Sequence, residues 1–150
     1  NLNKNSKILD LSCGKGFLAY ELQKELNSKN IYASEYSKYA IKNSKKELYN
    51  KVFYQDLRKK IKSDNNEFDL VICINVLHNL KINQINKTLK EIERISKEKF
   101  LCVESYENEK QQFNLQCWAL TAETLIDTDG WKWLFKNSGY SGDFEFIFFD

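Results

Sequence analysis

"ILDLSCGKGF", residues 8–17, carries an apolar run into an acid, a serine and two closely spaced glycines. A run of strand character that breaks at Gly14 and Gly16 opens a strand-turn-helix unit. Glycine lets the backbone bend sharply and approach a ligand closely, and the first turn of the helix behind it offers unpaired N–H groups to an anionic group. The helix itself is legible in Leu18, Leu22 and Leu26, an apolar stripe that leaves Glu21, Lys24 and Glu25 outside it.

Outward from this unit the pattern repeats. β-rich runs occupy residues 7–11, 31–34, 52–55, 68–74 and 100–104, each followed by a segment that can be helical, and Ile82, Ile85, Leu89, Ile92 and Ile95 form a second helical stripe. The strands are apolar almost throughout, as parallel strands covered on both faces must be. The expected fold is therefore α/β: one doubly wound, mostly parallel sheet with helices on both faces, in a single domain over residues 1–150.

Composition bounds the function. A chain of 150 residues, 42% hydrophobic, holds a real core, and its formal charge of +2 with no concentrated basic stripe gives no reason to expect a nucleic-acid partner. No apolar run reaches the roughly 20 residues needed to span a bilayer, and no signal-peptide pattern opens the chain, so no membrane partner is expected. Cys13, Cys73, Cys102 and Cys117 lie far apart and two of them sit in apolar runs, which reads as reduced thiols in a cytoplasmic protein rather than disulfides or a metal site. The absence of Met reads as a chain lacking its native N-terminus.

Open α/β sheets bind ligands beyond the carboxyl ends of their strands. Asp10, Ser12, Gly14 and Gly16 fall at the end of the first strand, Glu35 at the end of the second, nineteen residues past Gly16, Asp56 at the end of the third and Asn75 at the end of the fourth. An acid at the position of Glu35 is placed to accept hydrogen bonds from ribose hydroxyls, so the glycine turn holds a nucleoside-containing cofactor. Gly14, Gly16 and Ala19 also satisfy the dinucleotide pattern of NAD enzymes. Against a pyrophosphate stands Asp10, whose negative field opposes it. S-adenosylmethionine, with its cationic ammonium and sulfonium, suits an acid beside the turn. Each residue also has a blander reading: Asp10 and Asp56 as helix caps, Glu35 as a solvated charge, Cys13 as small packing.

The sequence resembles the class I S-adenosylmethionine-dependent methyltransferases, with their Rossmann-like domain, over nearly its whole length. "ILDLSCGKG" is similar to their first motif, "ASEYSKYAI" to the acidic end of the second strand and its helix, "FYQDL" to the adenine-side motif, and "FDLVICINVLHNL" to the fourth strand with its active-site loop. The resemblance implies that Asp10, Ser12, Cys13, Gly14 and Gly16 border the methionyl part, that Glu35 with Tyr36 holds the ribose, that Asp56 and Leu57 meet adenine, and that Asn75 and Val76 flank the cofactor. Ser12 departs from the family, which usually has glycine there. The family's core also ends in an antiparallel hairpin, whereas six strands are counted here, the last in "DFEFIFF" with Phe144, Phe146 and Phe148 alternating.

The loop after the fourth strand narrows the acceptor. It has Asn75, Val76, Leu77 and His78 and no proline, unlike the amino-methylating DNA enzymes, and the Pro-Cys pair of cytosine C5 enzymes is absent. The expected acceptor is a small molecule, such as a sugar or another metabolite, methylated on O or N. Residues 105–128 mix aromatic and polar groups as ligand pockets do, with Tyr106 and Trp118 as candidate acceptor contacts. Behind them Thr128 is placed to cap a helix whose Trp131, Leu134 and Phe135 face the sheet and which Gly139 ends. For a hydroxyl acceptor, His78, Glu104 or Tyr106 is a candidate base at the same edge, although His78 reads more readily as loop packing or a cap. The competing functions are an NAD-dependent oxidoreductase and a noncatalytic methyltransferase-like binding domain.

Overall fold

In the computed structural model, residues 2–48 and 50–150 are described. Six strands, β1 (Ile8–Leu11), β2 (Ile31–Glu35), β3 (Val52–Tyr54), β4 (Phe68–Ile74), β5 (Ser96–Glu104) and β6 (Asp143–Ile147), form one sheet in the order β3-β2-β1-β4-β5-β6. Every pairing is parallel. The helices are α1 (Phe17–Glu25), α2 (Lys38–Lys42), α3 (Ile82–Ile95), α4 (Glu109–Trp118) and α5 (Thr128–Ser138).

Strand alternation splits the core in two. Leu9 and Leu11 point with Val71, Cys73, Leu101 and Val103 to the face covered by α3 and α5, while Ile8, Ile31, Ala33 and Ile72 point to the face covered by Ala19 of α1. Asp10 lies between Leu9 and Leu11, so its side chain is turned to the α1 side, where its carboxylate accepts the Ala19 N–H at 3.2 Å. In α3 the expected stripe is buried from Ile85 to Ile95, but Ile82 at its start is 56% exposed. No helix of the described residues is long and apolar enough to cross a membrane.

Two expectations are corrected. Residues 57–66, between β3 and β4, are not helical. Their backbone is bound from α3 instead: Arg94 donates to the Ser63 and Ile61 carbonyls, Glu91 accepts the Ile61 N–H, and the Thr88 hydroxyl donates to the Leu57 carbonyl. The cap of α5 is Asp127, whose side chain accepts the Gly130 N–H at 2.7 Å, and Thr128 is the first helical residue. As the sequence count expects, β6 is the sixth and last strand; it pairs directly and in parallel with β5, and no antiparallel strand occurs among the described residues. Phe144 packs at a tilt against Phe135 of α5 at 4.8 Å and against Phe146 at 5.4 Å, which ties the last strand to α5.

Candidate active site at the carboxyl edge of the sheet

The glycine turn leaves β1 through three residues with positive φ: Ser12 at 66°, Gly14 at 56° and Gly16 at 77°. Ser12, where glycine is usual, is therefore held in the left-handed region at some conformational cost. At Gly16 a Cβ would stand 2.6 Å from Leu48 Cδ1, so close packing as well as φ demands glycine there. The turn is clamped from β2. The Glu35 carboxylate accepts the Gly14 N–H at 2.8 Å through one oxygen and the Tyr36 and Ser37 N–H groups at 2.8 and 2.7 Å through the other. With about four lone-pair positions on a carboxylate, one remains open.

Asp10 lies beneath this turn, 4% exposed. Burial, with the nearby Glu35 charge adding to it, pushes its carboxyl up to about 6 despite the opposing hydrogen bond from Ala19. Burial likewise pushes the Cys13 thiol up to about 12, which keeps it protonated and unreactive. All four cysteines are free, and Cys117 is exposed.

Beside the turn opens a cleft of about 570 Å³. Six expected residues line it: Ser12, Glu35, Tyr36, Asp56, Leu57 and Val76. Asp10, Cys13, Gly14, Gly16 and Asn75 are not on its wall. Asn75 instead ends β4 in a left-handed conformation, with φ at 54° and its N–H donated to the Cys102 carbonyl. The cleft also has walls that strand-end reasoning missed. Arg58 grips both Asp56 oxygens at 2.8 and 2.9 Å and lies 4.9 Å from the centre of the Tyr36 ring. That guanidinium holds the Asp56 carboxyl below the usual carboxylate range. The signal was local, since an Arg two residues past a strand-end acid can turn back onto it.

The opposite wall comes from the connection between α4 and α5. The Thr121 hydroxyl donates to Asn79 Oδ1 at 2.6 Å, the Thr124 hydroxyl donates to the Leu80 carbonyl at 2.7 Å, and the Glu123 and Thr124 N–H groups donate to the His78 carbonyl. This strap brings Thr121 and Glu123 to the cleft.

The three candidate bases separate. The structure joins His78 and Glu104, with Nδ1 2.7 Å from a Glu104 oxygen. Tyr106 is partly buried nearby, and its carbonyl accepts the Thr128 N–H, but its hydroxyl bonds to neither partner among the described residues. Trp118, 48% exposed, meets the His78 ring edge-on at 5.7 Å and packs on Phe149 at 4.7 Å.

A cleft beside a glycine turn, with acids at three strand ends, suits a nucleoside cofactor, and comparison with known proteins decides which. The model of a methyltransferase domain family matches residues 2–139. The chain belongs to this methyltransferase family. S-adenosylmethionine is accordingly the cofactor of the domain, and the nicotinamide alternative is set aside. The chain is 28% identical over 140 residues to the ubiquinone/menaquinone biosynthesis C-methyltransferase UbiE of Rickettsia felis, covering 85% of this chain and 55% of that protein. It thus spans about half the length of the curated relatives it matches. Among solved structures, the methyltransferase in complex with the Trm112 methyltransferase activator of Haloferax volcanii superposes with a TM-score of 0.74 at 18% identity, over 92% of this chain and 62% of that one. An S-adenosylmethionine-dependent methyltransferase of Archaeoglobus fulgidus gives 0.70 at 17% identity, over 91% and 62%. At these identities the structural likenesses establish the fold.

Proposed function

We propose that this methyltransferase domain transfers the methyl group of S-adenosylmethionine to a small-molecule acceptor bound beside the strap. The observation that carries the reading is the cleft itself, where the glycine turn, Glu35 and Asp56 converge at one edge of the sheet. Its residues suit the cofactor. Glu35 keeps a lone pair for a ribose hydroxyl, Tyr36 offers an aromatic face and Leu57 an apolar contact for adenine, and the buried Asp10 supplies negative potential under the cationic methionyl end. When bound, the cofactor supplies a methyl group already activated for in-line displacement. The chain's contribution is then to orient the acceptor and exclude water, and orientation alone supplies a large part of such a rate. The curated relatives are named for C-methylation in ubiquinone and menaquinone biosynthesis.

The test is ligand-dependent stability. S-adenosylhomocysteine at about one hundred times its Kd stabilises by about 2.7 kcal/mol, which raises Tm by roughly 5–10 °C for a domain of this size, whereas NADH leaves Tm unchanged. Neither S-adenosylmethionine nor its product shifting Tm overturns the proposal. A noncatalytic domain would bind the product yet transfer no label from methyl-labelled cofactor to any acceptor.

A further inference from the structure

His78 and Glu104 lie 26 residues apart and meet where the carboxyl ends of β4 and β5 run side by side. The Glu104 side chain is fully enclosed, and the pair is held by a 2.7 Å hydrogen bond. One Glu104 oxygen takes the His78 Nδ1 contact, and the other, Oε1, is buried with no hydrogen-bond partner. Such a group is costly, since a buried ionic pair rarely improves on apolar side chains of the same volume and an unpaired buried oxygen adds a further penalty. Core packing does not account for it.

The contact also sets the imidazole. A carboxylate oxygen only accepts, so Nδ1 carries the proton and Nε2 presents its lone pair. Nε2 makes no hydrogen bond among the described residues, and the ring, 7% exposed, meets the half-exposed Trp118 edge-on. The strap fixes the ring's backbone through the two N–H groups that bond the His78 carbonyl. A base with an oriented lone pair therefore stands against an accessible aromatic wall, beside a turn whose other residues, Val76, Asn79 and Leu80, line the cofactor cleft.

We propose that His78 Nε2 is the proton acceptor of the methyl transfer, that Glu104 is its positioning residue, and that the acceptor is a hydroxylated aromatic ring packed against Trp118. This rests on the methyl-transfer reading above. In the step, the acceptor hydroxyl gives its proton to Nε2, its oxygen forms the bond to the methyl carbon, and the carbon–sulfur bond breaks with its electron pair remaining on sulfur. The products are a methyl ether, the thioether and an imidazolium held by Glu104, which returns the proton to water. A hydroxyl acceptor that arrives protonated needs this base, and the Trp118 ring offers an aromatic acceptor an offset or edge-to-face partner.

Two measurements test it. His78 is the single histidine of the chain, so its ring nitrogens give one set of signals in a histidine-labelled long-range ¹H–¹⁵N spectrum. At mildly alkaline pH the neutral ring should carry its proton on Nδ1, and the opposite tautomer overturns the proposal. In the second, methyl-labelled cofactor is offered with phenol, 1-naphthol and 4-nitrophenol at a pH where 4-nitrophenol is ionised and phenol, with a pKa of about 10, is not. His78→Gln should lose about a hundredfold or more on phenol and 1-naphthol but only about threefold on 4-nitrophenol, because general-base catalysis is worth about 10²–10⁴ only when there is a proton to remove. Glu104→Gln should show the same acceptor dependence with a smaller loss. Equal losses on all three phenols, or wild-type protein that binds S-adenosylhomocysteine yet methylates none of them, overturn the dyad and the acceptor class while leaving the cofactor reading intact. Failure of the wild type to bind S-adenosylhomocysteine overturns both.

Discussion

Replacing Glu35 by Gln tests the turn and the cofactor together. Glu35 accepts N–H groups from Gly14, Tyr36 and Ser37 at 2.7–2.8 Å. Glutamine keeps the shape but has one acceptor oxygen. Turned toward Tyr36 and Ser37, it preserves two of the three bonds and sets its amide N–H group against the Gly14 N–H, leaving that donor unpaired. A fully buried unsatisfied donor costs about 1–3 kcal/mol, and Gly14 is only partly buried, so the lower end applies, about 1 kcal/mol, which for a domain of this size lowers Tm by roughly 2–4 °C. The substitution also replaces the lone pair left for a ribose hydroxyl and removes the charge behind it. One charge-assisted hydrogen bond is worth about 1.5–3 kcal/mol, so affinity for S-adenosylhomocysteine should fall roughly tenfold to a hundredfold. Calorimetric titration and a thermal melt on the same preparation separate the two effects. A lowered Tm with an unchanged Kd would reduce Glu35 to a clamp on the turn and refute its ribose role.

Asp10 predicts a pH dependence. Burial pushes its carboxyl from an ordinary 3.8 up to about 6, so the native state favours the protonated form. The stability it contributes is fully present below about 4 and is lost as pH rises to about 6, a change on the order of 3 kcal/mol. Wild type should therefore lose this much relative to Asp10→Asn in melts between pH 4 and 6.5, and parallel curves would contradict the assignment. Gly16→Ala meets both a φ of 77° and the Leu48 Cδ1 contact at 2.6 Å. Left-handed strain and overpacking together predict a loss of about 2–4 kcal/mol in urea unfolding. An unchanged midpoint would show that the turn yields easily.

The sequence by itself determined the alternation of strands and helices, the glycine turn and the acids that end the first three strands. These are short-range properties: apolar periodicity reports which face of an element is buried, and positive φ favours glycine within a single residue. The same locality explains the misplaced cap, since Asp127 and Thr128 are both good capping residues and adjacent in the chain. Tertiary structure alone decided what depends on pairing. The backbone of residues 57–66 is held by Arg94 and Glu91 of α3, and β6 is seated in parallel beside β5 by its ladder with residues 100–104, with Phe144 against Phe135. Asp10 acquired its raised carboxyl from burial, which no motif specifies. Most of all, His78 and Glu104 were two separate candidates until the β4–β5 register set the ends of those strands side by side, because a hydrogen bond across 26 residues depends on strand order and leaves no trace in local periodicity.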